Sequence, residues 1–261
     1  MFLKSTTLAL SIVLLSTLAL AQGREAVTAD TSAQELKNEA AQAAPITYTQ
    51  DQLYLFDVFN TRRSVRAFKS DPIPQEHVVK MLEIANTAPS AMNQQPWKFL
   101  VIQDRVKIDR LRDECVRQSL ENAQQRQNMD AEALEKTRQD RERFYTGFLA
   151  GPMHVVVLMD KNSRLPNFNI HDCSLAAGYL LLAARALGYG TVYAAGTIPA
   201  PVAKKVLEIP DNYEQLCYIP IGVPENWPDP PKKKSFDDLV VFEKLIQGVN
   251  YDLPAAQPQD K

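Results

Sequence analysis

Arg62, Arg63, Ser64 and Arg66 put three guanidinium groups and a hydroxyl within five residues of one another. A guanidinium is planar, offers paired N–H donors and keeps its charge at any working pH, so this segment suits a phosphate. Alternate side chains of an extended segment share a face, which would turn Ser64 and Arg66 toward one ligand. The same residues would also make a plain solvated basic patch. A second polar cluster follows at Pro89-Ser90-Ala91-Met92-Asn93-Gln94-Gln95-Pro96-Trp97, and its amide and hydroxyl groups could meet the edge of a flat polar ring. From the far end of the chain, Lys232-Lys233-Lys234 could complete a phosphate site. Together the clusters point to a phosphorylated aromatic cofactor.

Regular elements must hold these clusters in place. Leu53, Phe56 and Phe59 recur at helical spacing and mark the expected start of the globular part, in a helix that ends at the arginine cluster. Pro74 suits the first turn of a second helix through Ala85, with Val78, Met81, Leu82 and Ala85 on its inner face. Strands are expected at Phe99–Ile102, His154–Met159, Thr191–Tyr193 and Leu216–Gly222, where Pro220 argues that the last strand is an edge or ends there. Two charged helices, 106–127 and 130–148, read as a cover over the core, either a substrate lid or a solvated hairpin. Asp172 is expected to cap a helix that stops at Gly188 and is apolar on most of its circumference. Such a helix is buried, with room for contact to a second subunit.

The chain begins with Lys4 ahead of an apolar run, Leu8 to Leu20, and a small-x-small site at Ala19-Leu20-Ala21. Residues 1–21 therefore read as a secretory signal, too short for a comfortable membrane span. Residues 22–50 read as a flexible arm, 51–245 as one domain and 246–261 as a tail. Export to a bacterial periplasm is expected, with no membrane attachment after cleavage. A formal net charge of -2 and the lack of basic runs interleaved with aromatics argue against nucleic acid as a partner. The three cysteines match no zinc spacing and read as buried thiols.

The chain resembles the FMN-dependent nitroreductase family. The resemblance rests on the R-R-S-V-R-x-F block at Arg62–Phe68, the A-P-S-x-x-N-x-Q-P-W block at Ala88–Trp97, the strand at His154, the helix ending in Ala186-Leu187-Gly188, the Ala194-Ala195-Gly196 turn and the late lysines, all in the family's order. It implies an α+β fold, with a central, mainly antiparallel sheet flanked by helices. It also implies an intertwined homodimer with FMN at the subunit interface. By that likeness Arg62, Arg63, Ser64 and Arg66 bind FMN, with Arg62 and Arg63 serving the phosphate and ribityl chain. Arg66 approaches the pyrimidine edge. Pro89, Ser90 and Asn93 line the flavin from the partner subunit. Backbone N–H groups at Ala195 and Gly196 face flavin N5, and Lys233 (or Lys232 or Lys234) reaches the phosphate. The implied activity is ping-pong hydride transfer, with NAD(P)H as donor and a nitroaromatic, quinone-like or related electron-poor small molecule as acceptor. Position and electrostatics come from the protein and the chemistry from the cofactor, so no residue is assigned as catalytic acid or base. Export would separate the enzyme from NAD(P)H, which leaves another small molecule or a redox protein open as donor.

Two alternatives stand beside this one. The arginine block followed by Thr87-Ala88-Pro89-Ser90 also resembles the iodotyrosine deiodinase branch. However, Glu121–Gln125 lacks the branch's lid tyrosine, and Ala195 stands where that branch has a threonine near N5. A non-catalytic flavin binder is the other. Gly188-Tyr189-Gly190 does not continue into a dinucleotide fingerprint and reads as a helix stop. His171-Asp172-Cys173 cannot easily converge as a catalytic set, and His77 and His154 read as packing residues.

Overall fold

A computed structural model of the chain describes residues 47–127, 129–236 and 238–240. The expected signal, most of the arm and the tail lie outside the described residues. Tyr48–Pro231 form one compact unit; among the described residues, Thr47 and those from Lys232 onward lie outside it. No helix among the described residues is long and apolar enough to cross a membrane.

Helix α1 (Gln50–Thr61) opens with a capping box, in which Gln52 N donates to Thr49 Oγ1 and Thr49 N donates to Gln52 Oε1 at 2.8 Å. Helix α2 (Gln75–Ala85) follows Pro74 and buries Val78, Met81 and Ala85. Strand β1 (Trp97–Ile102) leads into the long hairpin α3 (Arg105–Gln127) and α4 (Ala131–Phe148), the latter N-capped by Asp130. Strand β2 (Met153–Asp160), helix α5 (Asn169–Ala186), the short strand β3 (Gly190–Thr191), helix α6 (Ala200–Leu207) and strand β4 (Tyr213–Gly222) complete the order. The four strands form one antiparallel sheet in the order β1-β2-β4-β3. The architecture is the expected α+β one, with helices on both faces of an antiparallel sheet.

Strand alternation assigns the faces. Met153, Val155 and Val157 pack with α2 and α5, whereas Val156 and Leu158 pack with α3, α4 and α6. The β2–β4 register shifts after Val157, so Leu216 is the extra residue of a bulge. That explains why neighbouring Leu216 and Cys217 both enter the α2–α5 layer. Ile108, Leu111, Cys115, Tyr145, Phe148 and Leu149 are buried, so the base of the α3–α4 hairpin belongs to the core. Only its distal part could act as a lid.

Four sequence expectations need correction. Leu53, Phe56 and Phe59 are 44%, 41% and 54% exposed, and Val58 alone in α1 is buried. Helical spacing there marks an apolar face that the described residues leave uncovered. β4 is an inner strand despite Pro220. The β3 register continues to the Ala194–Tyr218 bridge, where the two residues exchange both backbone hydrogen bonds. By alternation, Val192 and Pro220 would be the next hydrogen-bonded pair. Proline has no N–H to give, so β3 ends at Thr191 and the ladder resumes at Ala194, leaving no strand through Tyr193. Finally, α5 starts at Asn169, so Asp172 lies in its first turn and does not cap it. The helix does stop at Gly188, whose φ of 85° is the left-handed conformation favoured after a helix end.

Candidate functional site

The arginine segment is fixed to the sheet by its backbone. Ser64 bridges Thr191 in parallel fashion, and Val65 N donates to Thr191 O at 2.9 Å. Val65 is buried, while Ser64 and Arg66 on either side of it are exposed, so those two side chains do share a face. Gly190 permits this close approach: a Cβ there would stand 2.6 Å from Val65 Cγ2 and 2.8 Å from Pro224 Cγ. Arg62 is the C-cap of α1. Its guanidinium makes no hydrogen bond among the described residues. Arg63 turns back to donate to Asn60 O at 2.6 Å and Arg62 O at 2.9 Å, at the end of α1 where carbonyls lack helical partners. Arg66 donates to Ser64 O at 3.1 Å. Among the described residues none of the three arginines pairs with a carboxylate. Such an uncompensated cationic cluster fits a phosphate group.

Behind the cluster, Arg185 in the last turn of α5 donates from Nε to Thr61 Oγ1 at 2.9 Å and lies 4.5 Å over the Trp227 ring. Tyr54 donates to Ala186 O at 2.9 Å. These contacts fix the end of α1 on the C-terminal end of α5. Ala195 and Gly196 lie exposed beyond the Ala194 bridge, and their N–H groups make no hydrogen bond among the described residues. Ala195 is four residues past Thr191, at most about 14 Å along the chain from the arginine anchor.

The second cluster sits at the other end of α5. Met92, Asn93 and Gln95 have φ of 51°, 54° and 48°, left-handed values that cost non-glycine residues about 1–3 kcal/mol each and persist only where surrounding structure imposes them. Asp172, which is buried, anchors the loop on either side of Met92 and Asn93. Its Oδ1 accepts from Ala91 N at 3.0 Å and its Oδ2 from Gln94 Nε2 at 2.8 Å. Gln94 also spans the Leu165 backbone, accepting from its N–H at 2.7 Å and donating to its carbonyl at 3.1 Å. Ser90 Oγ accepts from Gln95 N at 3.0 Å. Pro89 and Asn93 are exposed, and Ser90 is half-buried.

Asp172 and Arg185 are thirteen residues apart on α5, roughly 20 Å along the helix. The chain therefore brings Arg62, Arg63, Ser64 and Arg66 together near the Ala195–Gly196 turn but holds Pro89, Ser90 and Asn93 at the opposite end of α5. Lys233 is exposed in a segment without regular structure, outside the unit that holds the arginines. Sequence reasoning missed the supporting residues: Asp172 and Gln94 for the loop, Gly190 and Arg185 for the arginine segment. Asp172 and Gly190 each leave a trace in the sequence, Asp172 as a helix cap and Gly190 as part of the stop at Gly188, but neither trace points to these contacts.

The comparison with known proteins is decisive at the level of family: residues 60–223 match the model of the "Nitroreductase family". The chain belongs to the nitroreductase family. The iodotyrosine deiodinase of Thermotoga neapolitana is 29% identical over 187 residues, covering 72% of this chain and 96% of that protein. The 5,6-dimethylbenzimidazole synthase of Rhodospirillum rubrum is 30% identical over 178 residues, 64% of this chain and 80% of the relative. A crystal structure of oxidized iodotyrosine deiodinase bound to FMN and 3-iodo-L-tyrosine superposes with a TM-score of 0.57 at 28% identity, covering 72% of this chain and all of that one. Nitroreductase-family relatives thus differ in the reaction they are named for, and family membership alone does not select a substrate.

The remaining titratable groups near the sheet are structural. His154 is fully buried, and burial holds its pKa down to about 3. Its Nε2 lies 3.0 Å from Gly151 O. His77 Nδ1 lies 2.8 Å from Tyr189 Oη. Cys115, Cys173 and Cys217 are free and buried, and burial pushes each thiol up to about 12.

Proposed function

We propose that this nitroreductase-family protein is an exported, homodimeric FMN-dependent oxidoreductase that reduces nitroaromatic, quinone-like or related electron-poor small molecules. One observation carries the cofactor assignment: three guanidiniums with no carboxylate partner among the described residues, on a segment whose backbone is anchored to β3. Arg62, Arg63 and Ser64 would hold the phosphate and ribityl chain. Arg66 would neutralise the pyrimidine edge, and the N–H groups of Ala195 and Gly196, which have no partner among the described residues, would donate to the ring near N5. When bound, FMN supplies two-electron transfer between donor and acceptor. The protein's part is to bind it, orient it and place positive charge where negative charge accumulates.

Two observations support the dimer. Leu53, Phe56 and Phe59 of α1 and Ile170, Leu175 and Tyr179 of α5 are large apolar side chains left exposed. An apolar surface of this kind marks an interaction site. The Pro89–Asn93 loop lies too far from its own arginine segment to serve the same ring, so a second subunit would supply it. Export rests on residues 1–21; NAD(P)H is the donor the family likeness implies, and export, which separates the protein from it, leaves another small reductant or a redox protein open.

A second reading, reductive dehalogenation of a halotyrosine, is favoured by the deiodinase relatives. Ala195, with no hydroxyl to offer near N5, and the absence of a tyrosine from Glu121–Gln125 place it second. One experiment separates the readings. The protein is purified with FMN, reduced anaerobically with NADH, NADPH or dithionite, and offered a nitroaromatic, a quinone or 3-iodotyrosine. Reoxidation by the first two supports the proposal, and reoxidation by 3-iodotyrosine alone replaces it with dehalogenation. A flavin inert to every acceptor would make the protein a binder, and a protein that cannot be reconstituted with FMN would overturn the assignment.

A further inference from the structure

We propose that Asp172 is a positioning residue for the flavin site of the other subunit. The proposal rests on the two-subunit FMN reading above and goes beyond it by naming the group that holds the partner-facing loop in shape.

Asp172 is 4% exposed, and both of its oxygens are spent on one loop, Oδ1 on Ala91 N and Oδ2 on Gln94 Nε2. No positively charged side chain pairs with it among the described residues, so these two donors are what compensates the buried carboxylate. Through Gln94 the tie extends to both backbone groups of Leu165. The loop so held contains Met92, Asn93 and Gln95 in left-handed conformations. Without an outside constraint, such a run would relax toward ordinary backbone geometry. Relaxation would move Ser90 and Asn93, the groups offered to the ring. In its own subunit, however, the loop lies roughly 20 Å along α5 from the arginine segment. The effect of Asp172 should therefore appear at the partner's arginines and not at its own.

Asp172→Asn keeps the size and one acceptor oxygen but turns an NH2 toward the Gln94 amide, donor against donor. Losing one charge-assisted hydrogen bond from the loop should weaken FMN binding about tenfold. A purely structural role would lower stability without regard to which subunit carries the change, so the test uses mixed dimers isolated with two affinity tags. In the first dimer, one subunit carries Arg62→Ala and its partner carries Asp172→Asn. Both defects then fall in a single site, and the other site should bind FMN with wild-type affinity. In the second dimer, both changes sit in one subunit beside a wild-type partner. Each site then has one defect, and none should bind with wild-type affinity.

FMN titration followed by flavin fluorescence reads the number of tight sites. One tight site in the first dimer and none in the second supports the proposal. The reverse pattern would mean that Asp172 serves its own subunit and overturns it, as would wild-type affinity in the Asp172→Asn homodimer. Should Asp172→Asn fail to fold, Gln94→Ala, which cuts the same tie at a less buried residue, replaces it with the same expectations. A wild-type dimer that binds no FMN defeats the underlying reading as well. Wild-type binding that is lost with Arg62→Ala but indifferent to Asp172 and Gln94 defeats the present inference alone.

Discussion

Gly190→Ala tests how the arginine segment is held. The new methyl would stand 2.6 Å from Val65 Cγ2, 2.8 Å from Val65 Cβ and 2.8 Å from Pro224 Cγ. Ordinary contact begins near 3.4 Å, so the nearest atom must retreat by about 0.8 Å. Val65 cannot simply rotate away, because it is β-branched, 1% exposed and tied by its N–H to Thr191 O. The segment would have to lift off β3, carrying Ser64 and Arg66 with it. Overpacking of this kind costs about 1–3 kcal/mol. For a domain of this size that lowers Tm by roughly 2–4 °C per kcal/mol. Displacing Arg66 from its ligand should also weaken FMN about tenfold, the loss of one charged hydrogen bond. Differential scanning fluorimetry and a fluorescence titration with FMN measure both effects. Gly147→Ala is the control: nothing lies within 4 Å of a Cβ there, so a helical alanine should stabilise the protein by about 0.5–1 kcal/mol. A Gly190→Ala protein with wild-type Tm and wild-type FMN affinity would refute the reasoning.

Arg62→Ala should reduce FMN affinity by about 1.5–3 kcal/mol, roughly 10- to 150-fold, with little change in Tm because its guanidinium supports no fold contact among the described residues; calorimetric titration checks it. Thiols pushed up to about 12 by burial are neither exposed nor ionised at pH 8, so Cys115, Cys173 and Cys217 should resist a thiol reagent in the native protein and all react after denaturation. His154 titrates near 6.5 when unfolded but is held down to about 3 when folded, so the unfolded chain binds this proton first. Its contribution is intact above pH 6.5 and is lost as pH falls toward 3, at up to about 1.4 kcal/mol per pH unit. Urea unfolding at stepped pH should show that acid limb, and His154→Leu should flatten it.

Much of the fold was legible because its signals are local. The apolar run His154–Met159 is the inner strand β2, the Gly188 stop has the φ it needs, and both hairpin helices appear where charge and spacing put them. The arginine segment was legible too, since alternation alone turned Ser64 and Arg66 to one face. What could not be read depended on contacts between distant residues. Apolar spacing in α1 reveals a helix but not what covers Leu53, Phe56 and Phe59. Pro220 looks like an edge marker, yet the sheet tolerates it by interrupting only the β3 side of the ladder. Asp172 at a helix start reads as a cap, because nothing local shows that Ala91 and Gln94 lie against it. The separation of the two clusters along α5 is likewise a property of the assembled chain, and no local signal in the sequence reveals it.

A crystal structure of the protein with FMN tests the central claim most directly. The account predicts one flavin at each subunit interface, its phosphate within hydrogen-bond distance of Arg62 or Arg63 of one chain and its ring beside Ser90 and Asn93 of the other. A flavin enclosed by a single subunit, or bound away from Arg62, would contradict it.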